Sequence, residues 1–190
     1  MLNEMVSHSV ENGSRVIVTY FDTRKAFDTV WVEGLFYQLY KKGIQGKLWR
    51  ILRKTYQDCI AAVMVCGGLT AWFRVLQGVK QGALLSMLFY ICFINDLLNE
   101  VNESGLGVEI MGTKCGAIAY ADDIDILSLH PICMHRLINI ALQYSQKWKF
   151  KFSPTNCATV CYGETETERQ ERLMNNDIEF TLGNEQLAER

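Results

Sequence analysis

Hydrophobic positions change their period several times along the chain, and each change marks an element. Residues 16–21 (VIVTYF) are an unbroken β-branched and aromatic run, which predicts a buried strand. From about 27 to 42 the spacing turns helical, with Val30, Leu35, Phe36, Leu39 and Tyr40 on one side and Gly43 as the stop. A second helix over 45–58 has Leu48, Trp49, Ile51, Leu52 and Tyr56 as its apolar positions. Residues 60–66 and 71–76 read as a hairpin around Gly67-Gly68. A long helix follows over about 83–101, then β runs near 107–111, 116–121 and 124–128. Pro131 suits the first turn of a helix that continues to about 147. Residues 158–162 and 178–182 are the last strand candidates. Helices and strands mix without regular βαβ alternation, so the pattern predicts an α+β fold. The apolar run 82–94 is shorter than the roughly 20 residues a membrane span needs, and a buried helix fits it better.

Composition narrows the class. With 190 residues, 49% hydrophobic and 21% charged, the chain suits one globular domain or a piece of a larger one. Its net charge of −2 gives no overall basic footprint for nucleic acid. Seven scattered cysteines, an odd number without a C-x-x-C, point to reduced thiols rather than disulfides or zinc. The first 15 residues are polar and do not resemble a secretory signal, so the expected location is intracellular, in nucleus or cytoplasm, with no membrane partner.

The greasiest segment holds the oddest charges. Asp122 and Asp123 sit side by side in AIAYADDIDIL, residues 117–127. Aspartate is a common turn residue, but tight hairpin turns favour Asn-Gly or Asp-Gly for their positive φ, and no glycine is present here. Adjacent carboxylates repel each other, and a cation relieves them. A plain turn and a cation site therefore both stand. Asp22, just past the first strand, reads equally as a helix N-cap or as a ligand. If the strand ends align, Asp22, Asp122 and Asp123 converge. Such oxygen clusters bind Mg²⁺, and two ions about 4 Å apart serve phosphoryl transfer. In LQGVKQGALLS, residues 76–86, Gly78 and Gly82 would let the backbone approach a ligand, and Gln81 offers a donor and an acceptor. The plainer alternative is a flexible turn before a helix. Lys47, Arg50, Arg53 and Lys54 make a basic stripe that is either a solvated face or a contact for a nucleic-acid backbone.

Five stretches together carry a family resemblance: FDTRKAFDTVW (21–31), QGVKQGALLSMLF (77–89), FINDLL (93–98), AYADDIDIL (119–127) and FKFSPTNCATVCYG (150–163). In this order and spacing the chain resembles the palm of a reverse transcriptase of the type encoded by retrotransposons lacking long terminal repeats. The resemblance implies a palm over 16–163, preceded by an extension over 1–15 and followed by a polar segment over 164–190. It implies an antiparallel sheet backed by helices. Asp22 and Asp122 would hold catalytic Mg²⁺ or Mn²⁺, Asp123 would support them, and the Thr23 carbonyl would be a further ligand. Phe27 would be the ring that excludes ribose, Gln81 and Gly82 the loop against the nucleotide, and Lys80 a contact to template phosphate. Asp28 and Asp125 read as local caps or exposed strand residues. The implied partners are an RNA or DNA template-primer and a deoxynucleoside triphosphate.

Three departures set this chain apart from the family pattern. Met87 stands where proline is usual. Ser153 and Asn156 stand where the family has asparagine and lysine, so a proton donor for departing pyrophosphate is missing. Fingers, primer grip and thumb are expected to lie outside these residues. The alternatives are a catalytically inactive retrotransposon remnant or interaction module, and a different two-metal enzyme such as a nucleotidyl cyclase.

Overall fold

The structure is a computed structural model that describes every residue except 81, 111, 166, 171–179 and 190. In chain order the first elements are α1 (Leu2–Glu11), β1 (Val16–Phe21), α2 (Ala26–Thr29), α3 (Val32–Lys41) and α4 (Gly46–Lys54). Four short strands follow: β2 (Ile60–Ala61), β3 (Met64–Val65), β4 (Gly68–Leu69) and β5 (Phe73–Arg74). Next come α5 (Ser86–Glu103), β6 (Val108–Ile110), β7 (Thr113–Cys115), β8 (Ala117–Tyr120) and β9 (Asp123–Ser128). The chain closes with α6 (Pro131–Lys147), β10 (Ala158–Tyr162), β11 (Thr181–Leu182), β12 (Glu185–Gln186) and β13 (Ala188–Glu189). These residues form two units. One comprises 1–24, 95–147 and 151–190, and the other 25–94 and 148–150.

The first unit is built on β1, whose side chains are all buried except the half-buried Tyr20. Its sheet runs β13-β10-β1-β9-β8. β1 is antiparallel to both neighbours, pairing Tyr20 with Ala158 on one side and with Asp125 on the other. Side chains alternate between faces along each strand. One face carries Val16, Val18 and Leu127, packed with Met5 of α1. On the opposite face the buried Thr19 Oγ1 donates to Met134 Sδ of α6 at 3.2 Å and lies 3.0 Å from Thr159 Oγ1. Ile124 and Ile126 share that second face, because they pair with Phe21 and Thr19.

Two elements here differ from the sequence expectation. Residues 1–15 contain a helix, whose Leu2, Met5 and Val6 lie against the sheet. Their i, i+3, i+4 spacing is the signal for it. The β run near 107–111 is one arm of a hairpin, β6 with β7, registered as Val108↔Cys115. Of the expected strand over 178–182, residues 178 and 179 lie outside the described residues, and Thr181–Leu182 is a strand paired with β12.

In the second unit the single helix expected over 27–42 is two helices. The break is at Val30, which is fully buried and extended at φ −55 and ψ 121. Its carbonyl accepts the Gly78 N–H at 2.9 Å, so a distant loop competes for the bond that would continue the helix. Leu35, Phe36, Leu39, Phe89 and Phe93 form the buried interior. The Phe36 ring meets Trp49 edge-on at 6.2 Å, and Trp49 Nε1 donates to the Phe36 carbonyl at 2.9 Å. The expected hairpin over 60–76 is a pair of short ribbons, β2 with β5 and β3 with β4, turning at Cys66-Gly67. On α4, Arg53 bonds Glu33 at 2.8 Å and lies over Trp49, whereas Lys47, Arg50 and Lys54 are exposed. All seven cysteines are free thiols. Among the described residues no helix is long and apolar enough to cross a membrane.

Candidate active site

Asp22 follows the last residue of β1, where the sheet delivers it with little freedom. It is not a helix cap: α2 begins at Ala26, and its N-cap is Lys25. Its neighbours come instead from the turn over 153–157. The Asp22 N–H points to Cys157 Sγ at 3.4 Å, and its carbonyl accepts the Ser153 N–H at 2.8 Å. Its Oδ2 accepts from Asn156 Nδ2 at 2.9 Å. Thr23 pairs with Phe152 in an isolated antiparallel bridge. The bonds of that bridge use the Asp22 carbonyl and the Arg24 N–H, not the Thr23 carbonyl. Thr23 Oγ1 is buried and has no hydrogen-bond partner among the described residues.

The second strand end is the β8–β9 hairpin. Tyr120 pairs with Asp123, so Ala121 and Asp122 make a two-residue loop. The positive φ that such a loop needs falls on Ala121, at φ 57. Asp122 is half-buried in the loop, and Asp123 is exposed at the start of β9. Register and alternation put Tyr20, Asp22, Asp123 and Asp125 on one face. There they line a cavity of about 370 Å³, together with Tyr120 and Asn156. Of the three carboxylates expected to converge, Asp22 and Asp123 line this cavity, while Asp122 occupies the adjoining turn. Asp125, expected as an exposed strand residue, is half-buried and joins them. The two-residue step from Asp123 is the signal that places it.

The electrostatics follow from burial and from the crowding of like charges. Burial, and then the charge of Asp123, push the Asp125 carboxyl up to about 6. Burial first, and then the 2.7 Å bond with the Tyr162 hydroxyl, push the Tyr20 hydroxyl above its ordinary value. Among the described ion pairs none involves Asp22, Asp122, Asp123 or Asp125. Carboxylate oxygens suit a hard divalent ion, and Asp22 and Asp123 supply them from two hydrogen-bonded strands. The donors therefore fit such an ion in kind. The expected group of three is not gathered, since among the described residues no three Asp, Glu, His or Cys side chains stand close enough to hold a metal.

The remaining candidates belong to the second unit. Phe27 is half-buried on α2, with its ring 5.2 Å from that of Tyr90. Gln81 lies outside the described residues. Gly82 is exposed at φ 79. Lys80 Nζ donates to the Thr55 carbonyl at the end of α4, at 3.2 Å, and lies 5.7 Å from the centre of the Tyr56 ring. Gly78, expected to let the backbone approach a ligand, lies against α2 instead. A Cβ there would stand 2.9 Å from the Asp28 carbonyl oxygen, at φ 90, so the glycine lets this loop dock on α2.

Known proteins resemble this chain in sequence and in fold. The chain is 25% identical over 161 residues to the retrovirus-related Pol polyprotein from type-1 retrotransposable element R2 of Popillia japonica, covering 82% of this chain and 27% of that protein. It is 22% identical to the RNA-directed DNA polymerase from mobile element jockey of Drosophila melanogaster, covering 81% of this chain and 17% of that one. It thus spans about a quarter or less of these relatives' length. Among solved structures, telomerase from Candida Tropicalis, in complex with a TWJ fragment of telomeric RNA, superposes with a TM-score of 0.62 at 13% identity. That match covers 86% of this chain and 30% of the telomerase chain. Telomerase from Candida albicans gives a TM-score of 0.64 at 12% identity, over 87% of this chain and 30% of that one. The shared feature is the fold, an α+β polymerase palm. Residues 2–181 match the family described as reverse transcriptase (RNA-dependent DNA polymerase), and the chain belongs to that family.

Proposed function

We propose that this chain is the metal-binding palm of an RNA-directed DNA polymerase. The observation that carries this reading is the placement of Asp22 just past the end of β1 and of Asp123 at the start of its paired strand β9, lining one cavity, with no cationic partner among the described ion pairs. In this reading Asp22 and Asp123 begin the site for Mg²⁺ or Mn²⁺, Asp122 turns in from the adjoining loop to complete it when the ion binds, and the Thr23 carbonyl is a further ligand. Bound divalent ions lower the barrier by steadying charge on the attacking and leaving oxygens. The substrates are a primer 3′-OH on an RNA or DNA template and a deoxynucleoside triphosphate. The protein's own part is to fix the carboxylates on a rigid sheet, which a site made only of loops would do less well. Phe27 excludes a ribose 2′-OH by bulk, Gln81 and Gly82 face the nucleotide, and Lys80 meets template phosphate on leaving Thr55.

The test is a Mn²⁺ titration of the whole chain, with Asp22→Asn, Asp122→Asn and Asp123→Asn beside the wild type. Loss of a ligand should weaken binding by about tenfold or more in each variant. Equal affinity in all four proteins would sink the reading. Metal binding without deoxynucleotide incorporation above the Asp122→Asn control would favour the inactive remnant for these residues, because the triphosphate and primer are not then positioned.

A further inference from the structure

Asp22 is held from one direction. The turn over 153–157 (SPTNC) is closed by the Asn156 and Cys157 N–H groups, which both donate to the Ser153 carbonyl, at 2.9 and 3.0 Å. It leads directly into β10, which pairs with β1. This short turn supplies the bonds to Asp22: Ser153 N–H donates to its carbonyl, which Cys157 Sγ also approaches at 3.9 Å, the Asp22 N–H donates to Cys157 Sγ, and Asn156 Nδ2 donates to its Oδ2. Thr155 Oγ1 lies 3.5 Å from Asn156 Oδ1, which orients the amide with its nitrogen toward Asp22. Only Oδ1 of Asp22 is left without a partner among the described residues.

The chemistry of the donor decides what this grip does. A lysine in this place would bring a full positive charge to the carboxylate and would compete with a cation for it. An amide donates a hydrogen bond and carries no net charge. It restricts the carboxylate and leaves its charge in place. We propose that Asn156 is a positioning residue, whose neutral amide fixes the Asp22 carboxylate and leaves Oδ1 and the negative charge to a divalent cation. This rests on the reading of Asp22 as a metal ligand. It gives Asn156 a task other than the proton donation for which its side chain is unsuited.

The experiment titrates Mn²⁺ into the whole chain and follows the free-ion electron paramagnetic resonance signal, with thermal melting run alongside. The proteins are wild type, Asp22→Asn, Asn156→Leu, Asn156→Ser and Asn156→Lys. Partners of metal ligands govern affinity by about 10–100-fold, and the exposure of Asn156 places it at the lower end. Asn156→Leu and Asn156→Ser should each weaken Mn²⁺ binding about tenfold. Asn156→Lys should weaken it further, because its ammonium pairs with Asp22. Melting should stay close to wild type. The serine variant serves if leucine unsettles the turn. Wild-type affinity in all the Asn156 variants, with loss in Asp22→Asn, would overturn the proposal and leave the metal site standing. Equal weakening by leucine, serine and lysine would also overturn it, because the charge of the donor would then be irrelevant. Unchanged affinity in Asp22→Asn would remove the metal reading and the proposal with it.

Discussion

The first unit carries nine Lys and Arg against eighteen Asp and Glu, and the second carries ten against three. The chain's net charge of −2 is the residue of this near-cancellation. A mean charge close to neutral therefore says little about partners when opposite charges occupy different units. In the first unit, the carboxylates of the cavity stand on strands whose other face is packed. In the second, Lys47, Arg50 and Lys54 stand on α4, a helix with no buried residue. Both units have a buried interior, but the short ribbons of the second differ from the sheet of the first. β1 and β9 bury their apolar residues, whereas Met64, Leu69 and Trp72 in the second unit are 73%, 62% and 65% exposed. A rigid, dry scaffold suits groups that must be held at fixed separations, and an open basic surface suits contacts to a polyanion.

The largest effect should come from the first unit's interior. Leu127 is fully buried beside Val16 and Val18, so Leu127→Ala should cost about 2–5 kcal/mol by urea denaturation. Leu84, 97% exposed in the second unit, should tolerate alanine within about 0.5 kcal/mol. Similar costs at both positions would break the contrast between the packed sheet of the first unit and the exposed loop before α5 in the second.

A smaller effect comes from Asp125. Its folded-state value of about 6 lies above the ordinary carboxylate range, so the folded protein binds that proton more tightly than the unfolded chain. The stabilising contribution is complete below the ordinary carboxylate range and is lost as the pH rises through 6. Asp125→Asn should therefore be more stable than wild type at pH 7, by about 1 kcal/mol once solvent screening of a half-exposed group is allowed for. At pH 4 the two should be alike. A constant difference across that window would show that Asp125 is not crowded by burial and Asp123.

The smallest effect tests the basic side. Lys47→Ala and Arg50→Ala should each weaken binding of single-stranded RNA modestly and lower the salt dependence by about one unit of slope. An unchanged slope would make α4 a solvated face.

Strong periodicity was enough to locate β1, α6 and β10, where one local pattern decides the outcome. It was not enough where a distant bond intervenes. The helix over 27–42 breaks because the Gly78 N–H takes the Val30 carbonyl, and nothing local announces that. At the site, Asp22 and the hairpin carboxylates were legible as charges misplaced among apolar residues. The part played by Asp125 required the β1–β9 register. The bond from Asn156 to Asp22 required the fold of the turn, because the two residues are far apart in sequence.

The register between β1 and β9 has a further consequence, for how this sheet assembles. Asp123 and Asp125 alternate with Ile124 and Ile126, so the two faces of β9 have opposite solubility. A slip of one residue would turn both carboxylates toward α6 and both isoleucines toward the cavity. Burying even one unpaired carboxylate there is costly enough to disfavour the mispaired strand before packing is complete. The same aspartates that line the cavity thus proofread strand pairing. Replacing both with valine would leave an apolar run with two equivalent faces, a segment with the composition of an aggregation-prone strand.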